Sequence, residues 1–164
     1  MDELYKVGIF ADFDGYAVTL TRQKLGDENQ SIASIEYSNE ISFNAIERIA
    51  QSSEKYFEVR KNHFFVNRID YLVEKLEESG IEAKAEELDE MSVVTVIKSL
   101  LNDEKLNFDT PDITKQVEKE LKNFAPGKVN HVLNSIYLSC CHNAKKSGFE
   151  LWRDICHKRR QNMF

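Results

Sequence analysis

Three strand-forming runs follow one another within the first 37 residues, joined by links too short for any crossover. Val7, Ile9, Ala11 and Phe13 alternate with Gly8, Phe10 and Asp12, so both faces are largely apolar, as in a central strand covered on both sides. Gly15 permits a tight turn, and Tyr16–Arg22 then alternates Tyr16, Val18 and Leu20 with Ala17, Thr19 and Thr21, the pattern of a half-buried strand. Gly26-Asp-Glu-Asn29 is a turn cluster, and Ser31–Tyr37 is a third strand. Strands linked this tightly pair as an antiparallel meander, because a parallel pair needs a long crossover.

From Ser42 the period changes from two to that of a helix. Phe43, Ile46, Ile49 and Ala50 share one face, with Ser42 as candidate N-cap over Ala45. His63–Val66 reads as a short buried strand. Asp70 is a candidate cap for a helix over Tyr71–Ser79 that Gly80 ends, and Ile81–Leu88 reads as an edge strand because charged residues alternate along it. Ser92–Leu101 is helical. Pro111 punctuates a polar loop, and Ile113–Phe124 is an amphipathic helix with Ile113, Val117 and Leu121 inward. After the Pro126-Gly127 break, Val132, Leu133, Ile136, Tyr137, Cys140, Cys141 and Ala144 define the most regular helix of the chain. A short tail helix, Phe149–Met163, is expected around Trp152. The element order predicts one α/β domain over residues 7–164, with a mixed sheet flanked by helices. Met1–Lys6 reads as a fusion remnant or a disordered N-terminus, without function.

No apolar run reaches the roughly 18–20 residues that a membrane span needs, so no membrane partner is expected, and a cytoplasmic location (the host cytoplasm for a viral protein) is the expectation. Cys140, Cys141 and Cys156 are odd in number and close together, which favours reduced thiols over a disulfide framework. The net charge of −6 opposes tight, free-standing binding to nucleic acid, but its distribution is uneven. Lys145, Lys146, Arg153, Lys158, Arg159 and Arg160 make the C-terminus basic and are the candidate contacts to a phosphate backbone.

Four stretches carry a resemblance. Gly8–Val18 looks like a first strand and hairpin bearing an aspartate. His63–Asn67 resembles a strand that carries a second acid. Leu100–Leu106 with Asp112–Val117 is like the segment before a closing helix. His131–His142 lines up with a closing helix in which acidic residues sit at i and i+3. Together they resemble the ribonuclease-H-like superfamily, and within it the nuclease domain of phage terminase large subunits, with RuvC-type resolvases close behind.

The resemblance implies a metal-dependent endonuclease acting on DNA, with Mg²⁺ or Mn²⁺ as cofactor. Two such cations sit between carboxylates, one activating water and one steadying the leaving oxygen. Carried over residue by residue, Asp12 is the first-strand ligand and Asp14 its alternative or support, both on one face of an extended strand. The second acid falls at Asn67, and the closing-helix contributors are His131 and Asn134. The sequence departs from the family at these positions, since Asn67 and Asn134 are neutral. Each missing carboxylate removes a full charge from a site meant for two dications. A degenerate or weakly active nuclease is therefore expected, unless Glu36 or Asp70 completes the site. The alternative is a non-catalytic module that keeps the fold and binds protein or nucleic acid through the helix Ile113–Phe124 and the basic tail.

Asp12-Phe-Asp14-Gly15 also resembles the first motif of haloacid-dehalogenase-type phosphatases, with Asp12 as nucleophile and Asp14 as acid/base. That reading requires a lysine near Asp12 and a later acidic pair. The NYN/PIN-type ribonucleases meet the same shortage of acids. Cys141-His142 and Cys156-His157 could suggest zinc, but adjacent residues on a helix point apart, so core cysteines are expected. Trp152 with Phe149 reads as a packing anchor.

Overall fold

In a computed structural model, the structure describes residues 3–24, 26–57, 59 and 63–140. Within them the chain runs β1 (Glu3–Asp12), β2 (Gly15–Lys24), β3 (Gln30–Ser38), α1 (Phe43–Phe57), β4 (Phe64–Asn67), α2 (Asp70–Glu78), β5 (Ala83–Glu86), α3 (Glu90–Asn102), β6 (Leu106–Phe108), α4 (Pro111–Lys122) and α5 (131–140). The tail elements expected beyond residue 140, including Cys141, Gly148, Trp152 and all six basic candidates, lie outside the described residues.

One six-stranded sheet holds the fold, in the order β5-β4-β1-β2-β3-β6. The β1-β2-β3 meander is antiparallel, as expected, and β4, β5 and β6 add parallel neighbours at its two sides. Strand alternation distributes the core between the two faces. Val7, Ile9, Ala11, Val18 and Leu20 pack under α1 and α2 with Ile46, Ala50, Leu72 and Leu76. Ala17 and Ile32 pack on the other face beneath α3, α4 and α5, with Val93, Ile97, Val117, Leu133 and Ile136. The result is helices over both faces of a mixed sheet.

Helix α5 lies directly on the centre of that sheet. From Val132 to Cys140 every residue but Asn134 is buried. Gly8 permits the approach, because a Cβ there would lie 2.2 Å from the Ser135 carbonyl oxygen and 2.4 Å from the Ser139 amide nitrogen. The contact is polar as well as close. The Thr19 and Ser135 hydroxyls bond at 2.7 Å, the Thr21 hydroxyl donates to the Ser139 carbonyl, and the buried Lys6 ammonium donates to the Gln30 side-chain oxygen. Burial pushes the Cys140 thiol up, against the opposing pull of Lys6. The threonines of β2, expected on a half-solvated face, are instead covered by the serines of α5.

Several boundaries differ from the sequence expectation. β1 begins at Glu3 rather than Val7. Residues 3–6 pair in register with residues 24–21 of β2, and Lys6 is buried, so this segment is part of the sheet. Asp70 is not a cap: Ile69 occupies the N-cap with no side-chain bond, and Asp70 is the first-turn acid, where the helix dipole favours a negative charge. Ser42 does cap α1, its hydroxyl accepting from the Ala45 amide at 3.2 Å. β6 falls in the stretch read as a polar loop. It is three residues long, too short to show a period, and it is set by pairing with Gln30–Ile32. Arg22 ties that edge down, chelating Asp109 and also bonding Glu3.

Candidate functional site

The parallel strand β4 brings its C-terminal end beside that of β1, and α5 begins above them. Asp12 is the last residue of β1 and points to the α5 face. Its Oδ1 accepts from the Asp14 amide at 2.8 Å and the Gly15 amide at 3.1 Å, an Asx turn that closes the hairpin. His131 Nε2 stands 2.6 Å from the same oxygen. A carboxylate only accepts, so the hydrogen of this bond is on Nε2. The Phe10 ring meets the imidazole edge-on, with centroids 5.7 Å apart. One oxygen of Asp12 thus carries three donors, and Oδ2 alone is left for an outside group.

Asn67 closes β4 and is turned inward to the sheet. Its Oδ1 accepts from the Ala11 amide at 3.0 Å, and its Nδ2 donates to the Ala11 carbonyl at 2.7 Å. The backbone ladder between β1 and β4 runs from Val7–Phe64 to Ile9–Val66. The Asn67 amide therefore stands in for the next peptide group and continues the ladder by one rung.

Asp14 is fully in the turn rather than on the strand, and it is exposed, so the expectation that Asp12 and Asp14 share a strand face does not hold. Asn134 lies one turn beyond His131 on α5 and is part-exposed, beside Phe10, Leu88 and Val94. Glu36 is on the opposite face of the sheet, in a groove with Arg48 and Tyr56, and does not join Asp12. Asp70 opens α2. No lysine bonds Asp12 among the described residues, and β2 runs back antiparallel from Gly15, so the phosphatase arrangement is not formed.

The start of α5 is fixed by Asn130, a residue the sequence did not single out. Its Oδ1 accepts from the Leu133 amide at 2.9 Å, and its Nδ2 donates to Glu120 of α4 at 2.7 Å. Gln116 holds the other oxygen of Glu120. An asparagine three residues before an amide at a helix start is the available signal. Replacing Asn130 by alanine removes both the cap and the tie to α4. It is expected to lower stability by about 1–2 kcal/mol, measured by urea unfolding.

The donor set does not suit two divalent cations. Such a centre requires several carboxylates in hard-oxygen geometry. Here one carboxylate has one oxygen left, the adjacent imidazole nitrogen is bonded to that carboxylate, and the Asn67 oxygen is occupied by Ala11. Among the described residues, no three His, Cys, Asp or Glu side chains lie close enough together to hold a metal ion.

No family model matches the chain, and no curated protein matches it. Solved structures do. The large terminase nuclease from thermophilic phage G20c, solved with bound zinc, superposes with a TM-score of 0.62 over 84% of this chain and 80% of its own, at 19% identity. The g2p large terminase nuclease domain of bacteriophage SPP1, with bound manganese, gives 0.55 over 79% and 73% at 14% identity. The yeast mitochondrial Holliday junction resolvase Ydc2 gives 0.55 over 93% and 84% at 13% identity. The chain shares its fold, a six-stranded mixed sheet between helices, with these terminase nuclease domains and with the yeast resolvase.

Proposed function

We propose that this chain is a DNA-directed domain of the terminase and resolvase type whose cleavage centre is degenerate, leaving recognition rather than hydrolysis as its activity. The observation that carries this reading is the internal use of the two strand-end positions. Asp12 Oδ1 is saturated by two turn amides and His131, and both ends of the Asn67 amide are bonded to Ala11. The resemblance would have those two positions hold the cations. Here they brace the hairpin and the β1–β4 ladder instead. His131 orients Asp12, Asp14 is free in the turn, and Asn134 supplies a neutral polar group to the groove beside them. If any cleavage remains, it depends on Mg²⁺ or Mn²⁺ at Asp12 Oδ2, and it is weak.

DNA affinity on this reading comes from Lys145, Lys146, Arg153, Lys158, Arg159 and Arg160, and it falls steeply with salt as counterions are released. The compartment is the cytoplasm, that of the host for a phage protein. No described helix is long and apolar enough to cross a membrane. A second reading, a module that binds a protein partner, is favoured by one feature: Tyr56 and Phe57 of α1 are 72% and 42% exposed beside a groove on the far face of the sheet.

A gel-shift titration with branched and linear DNA in EDTA separates the two readings. Metal-free binding that weakens with salt is expected. Failure to bind any DNA would overturn the DNA-directed reading in favour of the protein module.

A further inference from the structure

A cleft of about 250 Å³ opens next to the Asp12–His131 pair, between the facing ends of β2 and β3 and the segment leading into α5. His131 is part of both. The cleft is lined by Tyr37, Asn39, Glu120, Asn123, Phe124 and Lys128, among others. Tyr37 is opposite Ala17 in the β2–β3 register, and Ala17 packs under α5, so the Tyr37 ring is on the cleft side of the sheet. Tyr37 is 53% exposed, so its side chain is open to a ligand entering the cleft. The turn bearing Phe13, which is 99% exposed, abuts Ser38 and Asn39 at the rim.

We propose that this cleft receives the base of an unpaired nucleotide. The ligand chemistry follows from the lining. Glu120 puts a fixed carboxylate on the α4 wall, bonded to Asn130 and Gln116, which excludes a phosphate from the interior. Tyr37, exposed, and Phe124, part-buried against the core, put aromatic side chains in the lining, and base–aromatic stacking tolerates any sequence because every base has a π-face. The amides of Asn39 and Asn123 offer both donors and acceptors to a base edge. Lys128 is exposed at the mouth, where the phosphate attached to an inserted base would lie. A paired base cannot enter, since its edge and both faces are taken in the duplex. The cleft thus favours single-stranded or branched DNA over duplex. This inference rests on the DNA-directed reading above.

The test is fluorescence anisotropy with three labelled probes of equal length: a mixed-sequence single strand, the same strand with abasic sites, and its blunt duplex. The full chain is compared with Tyr37→Ala, Tyr37→Phe and Lys128→Ala, all at exposed positions, with circular dichroism confirming the fold. Tyr37→Ala is expected to weaken single-strand binding by about fivefold or more, the scale of one lost stack. Tyr37→Phe restores binding, and duplex affinity does not change. The abasic strand binds the unsubstituted chain as weakly as the normal strand binds Tyr37→Ala, and that variant does not distinguish the two strands. Lys128→Ala lowers affinity for both strands and flattens the salt dependence. If the single strand binds well but ignores both the missing bases and Tyr37→Ala, the base cleft is wrong while the DNA-directed reading stands. If no probe binds, both are overturned.

Discussion

Gly8→Ala is expected to cost about 3 kcal/mol or more, at the upper end of overpacking penalties. The added methyl group would meet the Ser135 carbonyl oxygen at 2.2 Å and the Ser139 amide nitrogen at 2.4 Å, with the Leu138 carbonyl carbon at 3.0 Å. All three are backbone atoms of one helix, so no rotamer change relieves the contact. Ordinary contact distances are ~3.5–4.0 Å, so α5 would have to rise from the sheet by about an ångström or more. That would part Thr19 from Ser135 and Thr21 from Ser139, and it would open the apolar contacts of Leu133 and Ile136. Gly26→Ala is the control. Gly26 has φ +84° but nothing within 4 Å of an added Cβ, so only backbone strain of about 1–2 kcal/mol applies. Urea titrations read both as midpoint shifts at constant slope. Equal shifts for the two variants would mean that α5 does not sit against Gly8 as described.

Asn67→Asp is the second large effect. The substitution is nearly isosteric and introduces the acid that the nuclease pattern calls for, yet it is expected to destabilise the fold by about 2–3 kcal/mol at neutral pH. The Ala11 carbonyl would lose its donor and face a carboxylate oxygen instead of Nδ2. The pH dependence follows from the same bond. Protonating the new carboxyl would restore a donor to the Ala11 carbonyl. The folded state therefore binds that proton more tightly than the unfolded chain, and the new acid has a raised folded pKa. The penalty relative to the natural chain is then full at neutral pH and shrinks as the pH falls toward and below the ordinary carboxylate range. Parallel urea midpoints at neutral and acidic pH check this. A variant as stable as the natural chain at neutral pH, with calorimetric uptake of Mn²⁺, would show that position 67 turns outward and serves a metal.

The meander was legible because its signals are local: period-two alternation in β1 and β2, and turn residues at Gly15 and Gly26-Asp-Glu-Asn29. The helices over Phe43–Phe57 and 131–140 were legible from their apolar stripes. β6 was not, since Leu106–Phe108 is defined by a partner far earlier in the chain, at Gln30–Ile32, rather than by any pattern of its own. The buried Lys6 was missed for a related reason: a lysine near a chain start reads as solvated, and only Gln30 and the arrival of α5 show otherwise.

The candidate site divides in the same way. The resemblance assigns Asp12 and His131 to one site, and the two side chains meet at 2.6 Å. The work of Asn67 was invisible, because a side-chain amide replacing a peptide group leaves no trace in spacing. The turn geometry of Asp14 was misjudged by carrying the strand on past Asp12, where it ends. Tyr37, Phe124 and Lys128 come from three separate segments, and only the fold brings them around one cleft.

On the proposed reading, the strand-end positions of this fold are used internally and DNA is not cut efficiently. The most direct measurement is Mn²⁺-dependent cleavage of supercoiled and branched DNA, with calorimetric titration of Mn²⁺ into the same protein and Asp12→Asn as control. No stoichiometric Mn²⁺ uptake and at most trace nicking are expected. Robust cleavage abolished by Asp12→Asn would contradict this reading and establish a working metal centre at the end of β1.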